Sequence, residues 1–319
     1  MSERESMPYD VVIVGGGPAG LATAIRLKQV NADLSVCILE KGSEVGAHIL
    51  SGATFDPKAL DELLPDWRDQ GCPMAETPVT DNWHWHLTRT GKFPIPHAIQ
   101  PPFMSNHGNY TGSLGSLCRW LAGQAEELGV EVFPGFPAAE VLYDDNGAVI
   151  GVQTGDMGID REGNQKSDYM PGMHLLAKYT VFCEGARGHL TKRLKAKYDL
   201  EANCEPQVYG IGVKELWDID PANHAPGRVI HTQRWPLDEN AVDGGIVVEA
   251  RDGGADFQRG GGRGGAQRPG GQSHAGLPRP ALDRRQAVRL TGDHPGLSCE
   301  RDRDAAVSAA ADHQQGHQE

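Results

Sequence analysis

The chain has 319 residues, 39% of them hydrophobic and 6% aromatic, with a formal net charge of −13. That is enough apolar material for a core and enough length for two ordinary domains, while the acidic balance argues against nucleic acid and against simple electrostatic adhesion to anionic lipid. The six cysteines are scattered with no C-x-x-C spacing, so zinc or iron–sulfur ligation by closely spaced ligands is unsupported and no metal site is expected.

The start Met1-Ser2-Glu3-Arg4-Glu5 has the character of neither a secretory signal nor an Arg-rich transit peptide. No apolar run approaches the roughly 20 residues that span a bilayer. A reducing, cytoplasmic setting is expected, with the thiols free. Tyr9 to Val14 is a β-branched run closed by glycines and predicts a buried parallel strand. Pro18 to Gln29 predicts a helix with Leu21, Ile25 and Leu27 inward, and Leu34 to Leu39 a second buried strand ending at Glu40. Asp56 to Gln70 has the spacing of a short amphipathic helix, with Leu60, Leu63, Leu64 and Trp67 on one side.

Residues 71–112 predict strands joined by long loops. Within them Trp83-His84-Trp85-His86 places two histidines on one strand face, best read as a half-exposed strand because no third metal ligand is identifiable. A helix is expected over Leu114–Leu128, a strand over Val130–Phe133, and a hairpin over Ala139–Tyr143 and Val149–Gln153. Leu175 to Cys183 predicts another buried strand, running into Glu184-Gly185-Ala186-Arg187-Gly188 and a helix over His189–Tyr198. Val208–Lys214 and Arg228–His231 are further short strands. From Arg251 onward Ile, Tyr, Trp, Met, Lys and Asn are all missing. The composition there predicts a disordered low-complexity tail over residues 251–319, following a folded domain over 1–250.

Gly15-Gly16-Gly17-Pro18-Ala19-Gly20 matches G-x-G-x-x-G between a strand and a helix. The first glycine permits the tight turn, the second lets backbone approach a pyrophosphate, and the third lets helix pack on strand. The helix N-terminus offers amides and a positive dipole end to the phosphates. Glu40, at the end of the second strand, is placed to accept from ribose hydroxyls. The extreme N-terminal position of the motif, and the later strand that ends in Glu184 and Gly185, favour FAD over NAD. The fold class expected is α/β: an FAD/NAD(P)-binding Rossmann-like fold with inserted β-rich segments, incomplete at its C-terminus.

Beyond Glu40 the chain gives Lys41-Gly42-Ser43-Glu44-Val45-Gly46-Ala47-His48-Ile49-Leu50-Ser51-Gly52-Ala53, and later Leu64-Pro65-Asp66-Trp67, Asn106-His107-Gly108-Asn109-Tyr110, Ala202-Asn203-Cys204-Glu205-Pro206-Gln207 and Tyr209-Gly210-Ile211-Gly212-Val213-Lys214-Glu215-Leu216-Trp217. Over roughly residues 8–240 this resembles the electron-transfer flavoprotein–ubiquinone oxidoreductase family. The resemblance implies a flavoenzyme that takes electrons from reduced electron-transfer flavoprotein and passes them to ubiquinone. It is expected to sit peripherally on the inner face of a bacterial membrane. It implies an FAD site formed by Gly15, Gly17, Pro18, Ala19, Gly20, Glu40, Lys41, Gly46, Ala47, His48, Ser51, Gly52, Glu184 and Gly185, the stretch from Gly46 to Gly52 lining the flavin ring. No acid–base residue is required, since the protein positions a redox cofactor.

The family's quinone pocket carries a Gly-Gly pair after Trp-Pro-Leu, and Gly244-Gly245 is the equivalent here, although Ala241-Val242-Asp243 departs from the usual approach. The family docks on membrane without spanning it, which implies lipid contact for Phe55, Leu60, Leu63, Leu64 and Trp67. It also carries a [4Fe–4S] cluster, whose cysteine ligands are missing from this sequence. After about residue 240 the resemblance stops, as expected for a truncated or frameshifted member. The alternatives are therefore an inactive product retaining at most FAD binding, or a flavoprotein of the same fold with another acceptor. Leu290-Thr291-Gly292-Asp293-His294-Pro295-Gly296 resembles a flavoprotein Gly-Asp turn, but it lacks the flanking strand and helix.

Overall fold

A computed structural model describes residues 4–49, 52–160, 162–205, 211–218, 220, 222–235, 242–249 and 254–262. In chain order, β1 (Ser6–Val14), α1 (Pro18–Val30) and β2 (Val36–Glu40) precede β3 (Gly52–Phe55), α2 (Lys58–Leu63), β4 (Asp81–Leu87) and β5 (Lys92–Pro94). Then come β6 (Tyr110–Ser113), α3 (Leu114–Glu127), β7 (Glu131–Pro134), β8 (Ala138–Tyr143) and β9 (Val149–Thr154). β10 (Met157–Ile159), β11 (Gln165–Met170), β12 (His174–Phe182) and α4 (His189–Tyr198) lead to β13 (Ile211–Asp218), β14 (Arg228–Arg234), β15 (Val242–Glu249) and β16 (Gly254–Gly262). The described residues form two compact units: those within 4–79 and 106–205, and those within 80–105 and 211–262.

The first unit is built on a sheet of order β7-β2-β1-β12-β9-β8. β7, β2, β1 and β12 run parallel, and β9 and β8 continue antiparallel. Alternation along β1 explains its unbroken apolar run. Val11 and Ile13 join one cluster with Leu21 and Ile25 of α1 and Leu117 and Leu121 of α3. Val12 and Val14 join the other, with Leu175 of β12 and Leu190 and Leu194 of α4. Both faces of the strand are covered, so a polar residue has no place on either. Each such fully buried Val, Leu or Ile contributes about 1.5–3 kcal/mol. α3 is started by Ser113, whose hydroxyl accepts from the Ser116 amide, an N-cap that satisfies one orphan donor.

The second unit is a sheet of order β13-β16-β15-β14-β4-β5. β4 runs parallel to β14, and the other neighbours pair antiparallel. Within the stretch expected to be disordered, residues 254–262 depart from that expectation, because β16 is a strand paired on both sides, with β13 and β15. Main-chain bonds to two neighbours hold such a strand without an apolar sequence. Residues 263–319, including the Leu290–Gly296 motif, lie outside the described residues. In the first unit the helix expected over 56–70 is six residues long, Lys58–Leu63. Pro65 disfavours helical geometry at the residue before it, and Leu64 accordingly leaves the helix with φ −138° and ψ 80°.

Candidate functional site

The glycine turn joins β1 to α1 at the carboxyl end of the parallel strands, where open α/β sheets bind ligands. Gly15 has φ +110°, and a Cβ there would lie 2.4 Å from the Cys183 carbonyl oxygen. Its amide donates to the Leu39 carbonyl at 2.8 Å, so the turn is tied to β2 and pressed against β12. A Cβ on Gly20 would lie 2.0 Å from the Gly15 carbonyl oxygen, so that glycine sets how closely α1 packs on the turn. Gly17 is different: nothing lies within 4 Å of the position its Cβ would take. The turn is thus tight on the side of Gly15 and Gly20 and open at Gly17. α1 begins with Pro18 and has no side-chain cap, leaving its first amides for an anion.

Glu40 ends β2 beneath this turn. Its carboxylate accepts from the Gly16 amide at 2.9 Å and from the Gly42 amide at 2.7 Å. One side chain thereby fixes both the glycine turn and the start of the next loop. In that loop Lys41, Ala47 and His48 are exposed. Gly46 has φ +89°, and a Cβ on it would lie 2.5 Å from the Gly115 carbonyl oxygen. Close approach of loop backbone to the start of α3 therefore requires that glycine. Ser51 lies outside the described residues, and Gly52 opens β3.

Gly185, with φ +74°, follows β12 on the flank of the turn. The Glu184 carboxylate accepts from the Leu190 amide at 3.2 Å and from the Thr191 amide and hydroxyl, each at 2.7 Å. His189 Nδ1 stands 3.2 Å from it. This side chain is engaged in capping α4, so what it offers the turn is backbone.

The five side chains expected at a lipid surface have another environment. Leu60 and Trp67 are buried in the first unit's core, and Phe55, Leu63 and Leu64 are partly buried against the same cluster. The Trp67 indole donates to Asp61 at 2.7 Å, and the Arg68 guanidinium stacks on its ring at 4.3 Å while pairing with Asp61. Leu60 and Trp67 are thus core residues in this conformation, because the amphipathic face packs on α1 and β6 rather than outward. Large exposed apolar side chains do occur in the second unit, on the segment after β4, at Phe93, Ile99 and Phe103.

In the second unit Gly244 and Gly245 lie in β15 opposite Gln233 and Thr232 of β14. One register step away, His231 of β14 is opposite His84 of β4. The two imidazoles stack with centroids 4.5 Å apart and planes inclined by 13°. The exposed His97 stands edge-on to His84 at 6.1 Å. His84 is buried, and the half-exposed strand expected from the sequence holds only for its neighbours. Alternating histidines were visible, but pairing with a strand far along the chain was not. Burial lowers the pKa of both imidazoles, with the charge of His97 acting in the same direction on His84, and with the charge of His84 doing so on His231, which is lowered to about 4.

Among the described residues no three or more His, Cys, Asp or Glu side chains are grouped to hold a metal ion. Nor is any described helix long and apolar enough to cross a membrane.

Comparison with known proteins gives two family matches: an NAD(P)-binding Rossmann-like domain over residues 13–64, and the ETF-QO ubiquinone-binding family over residues 209–258. The second continues past residue 240 and includes Gly244 and Gly245. The chain is 56% identical over 251 residues to electron transfer flavoprotein-ubiquinone oxidoreductase of Pseudomonas aeruginosa, covering 77% of this chain and 45% of that protein. It is 51% identical over 255 residues to the mitochondrial protein of that name from Homo sapiens, covering 79% and 41%. The chain thus spans less than half the length of the curated relatives it matches. Among solved structures, a geranylgeranyl bacteriochlorophyll reductase-like protein of Thermoplasma acidophilum aligns at TM-score 0.52 and 18% identity, covering 80% of this chain and 57% of the other. The flavin-dependent monooxygenase PieE aligns at TM-score 0.54 and 15% identity, covering 89% and 47%. At such identities the likeness is one of fold.

Proposed function

The chain belongs to the electron transfer flavoprotein–ubiquinone oxidoreductase family, and from that premise we propose that it binds FAD in its first unit and serves electron transfer from reduced electron-transfer flavoprotein to ubiquinone. The observation that carries the FAD reading is the turn tight at Gly15 and Gly20 but open at Gly17. A dinucleotide pyrophosphate needs this combination, because backbone must come close on one side and leave room on the other. Gly15, Gly17, Pro18, Ala19 and Gly20 would hold the pyrophosphate. Glu40, whose oxygens retain unused lone pairs, would take the ribose hydroxyls together with Lys41. The loop of Gly46, Ala47, His48, Ser51 and Gly52 would border the ring, and Glu184 and Gly185 would flank it with backbone. Bound there, FAD supplies electron-transfer chemistry that no side chain can.

Gly244 and Gly245 would belong to the quinone site in the second unit. No step is assigned to an iron–sulfur cluster, because the described cysteines Cys37, Cys72, Cys118, Cys183 and Cys204 form no metal-holding group. Peripheral membrane contact is assigned to Phe93, Ile99 and Phe103 rather than to the residues around α2, since these three expose their apolar surface and interfacial binding scales with exposed apolar area. The protein would then lie on the inner face of a bacterial membrane. The test is to express the chain, record its visible spectrum, and assay ubiquinone reduction by reduced electron-transfer flavoprotein. Flavin absorbance that survives gel filtration, with turnover, is expected. A colourless folded protein that takes up no added FAD would defeat the reading.

A further inference from the structure

β12 is paired unevenly on its two sides. β1 runs beside it from His174 to Phe182, whereas β9 covers only His174, Leu175 and Leu176. Among the described residues, no strand pairs with residues 177–182 on that second side. The Cys183 amide donates to the Val14 carbonyl at 2.7 Å. Main-chain groups along a strand alternate in direction, so those of Thr180 and Phe182 point to the open edge. Such edges are normally blunted by a proline, a bulge or an outward charge. Here the one charge, Lys178, reaches the other way, its Nζ donating to Asp10 Oδ1 of β1 at 2.6 Å. Its neighbour Tyr179 is 74% exposed, and the Thr180 hydroxyl is buried with no hydrogen-bond partner among the described residues.

We propose that this edge joins two copies of the chain, paired antiparallel about a twofold axis at Thr180. The segment is complementary to itself in that register. Thr180 is opposite its twin, so the two exchange main-chain bonds and each hydroxyl gains a partner. Tyr179 is opposite Val181, an aromatic–β-branched pair that symmetry makes twice. Lys178 is opposite Phe182, so no like charges meet. The ladder also has natural ends. On one side β9 takes over at Leu176, and on the other the chain turns after the strand at Gly185, with φ +74°.

The test uses the full 319-residue chain. Sedimentation equilibrium is expected to show a monomer and a dimer in concentration-dependent balance. Hydrogen exchange at the Thr180 and Phe182 amides should slow as the dimer fills, a measurement that requires no variant to fold. Tyr179→Lys and Tyr179→Glu alter an exposed side chain, and circular dichroism verifies their fold. Symmetry sets the two new like charges diagonally across the ladder, so each variant should raise the dimer's Kd about tenfold. Mixed in equal amounts, the two variants should regain the wild-type Kd as a heterodimer, which a merely structural role for Tyr179 would not produce. A wild-type chain that stays monomeric would overturn the proposal, whether its two amides exchange freely or are already protected by the chain's own residues. A dimer that neither variant weakens, or a mixture that associates no better than each variant alone, would place the contact elsewhere.

Discussion

The Glu40 carboxylate accepts from the Gly16 amide at 2.9 Å with one oxygen and from the Gly42 amide at 2.7 Å with the other. A single side chain therefore sets the distance between the glycine turn and the loop that follows β2. Glu40→Gln retains one acceptor oxygen but turns an N–H toward the second amide, where two donors then face each other. The variant should lose about 1–3 kcal/mol of stability, read as a lower urea midpoint, and bind FAD more weakly. An unchanged midpoint would mean that the two bonds do not hold the turn.

Gly17 and Gly20 should separate folding from ligand binding. A Cβ on Gly20 would collide with the Gly15 carbonyl oxygen at 2.0 Å, so Gly20→Ala forces α1 off the turn. That variant should be destabilised by several kcal/mol, as overpacking against backbone requires, and should retain no flavin. Gly17 has φ −82° and ψ −179°, extended backbone open to any residue, with nothing within 4 Å of a new Cβ. Gly17→Ala should therefore keep the native circular dichroism yet bind FAD at least about tenfold more weakly, because its methyl occupies the phosphate side. Full flavin affinity in Gly17→Ala would place the pyrophosphate elsewhere.

What was legible in the sequence is what backbone and local periodicity dictate. β1, α1, β2, the β8–β9 hairpin, β12 and α4 could be read because a buried parallel strand has no polar position and a helix repeats its face. The glycine turn was legible because two of its residues cannot carry a Cβ at all. The rest depends on partners distant in the chain. Trp67 is internal because Asp61 takes its indole N–H and the core cluster of α1 and α3 receives its ring, and neither fact appears in an amphipathic pattern. Glu184 looked like a cofactor residue by its place after β12, but its charge is engaged by the amides that start α4. β16 was hidden for the opposite reason: composition reports side chains, whereas that strand is held by main-chain pairing.

Truncating apolar side chains at the two candidate membrane regions should give opposite results. Trp67 is fully buried, so Trp67→Ala should cost about 3–5 kcal/mol and affect vesicle binding only through loss of fold. Phe103 is 86% exposed, so Phe103→Ser should leave the urea midpoint within about 0.5 kcal/mol of wild type. Its partition onto zwitterionic lipid vesicles, followed by sedimentation, should fall severalfold, more so when combined with Phe93→Ser. A Phe103→Ser, Phe93→Ser double variant that sediments with vesicles as well as wild type would free this segment from the membrane role.

The stacked imidazoles fix the sign of the acid response. His231 is pushed down to about 4 by burial and by the charge His84 would carry, and His84 is lowered by burial and by His97. Above the ordinary imidazole pKa of about 6.5, neither the folded nor the unfolded chain holds these protons, and the pair leaves stability independent of pH. Between about 6.5 and 4 the unfolded chain takes up a proton at His231 that the folded chain refuses, so stability falls as pH falls. Below about 4 the folded state titrates too, and the loss levels off. Asp10 and Asp156 are held near 2 by Lys178 and Arg4 respectively, so their contribution is lost mainly below this window. Urea midpoints followed by tryptophan fluorescence from pH 7.5 to 4.5 should decline for wild type and decline less for His231→Phe, which keeps the stack and removes the titrating nitrogen. Parallel curves for the two proteins would show that His231 titrates alike in the folded and unfolded chains, and it would then have no part in the acid response.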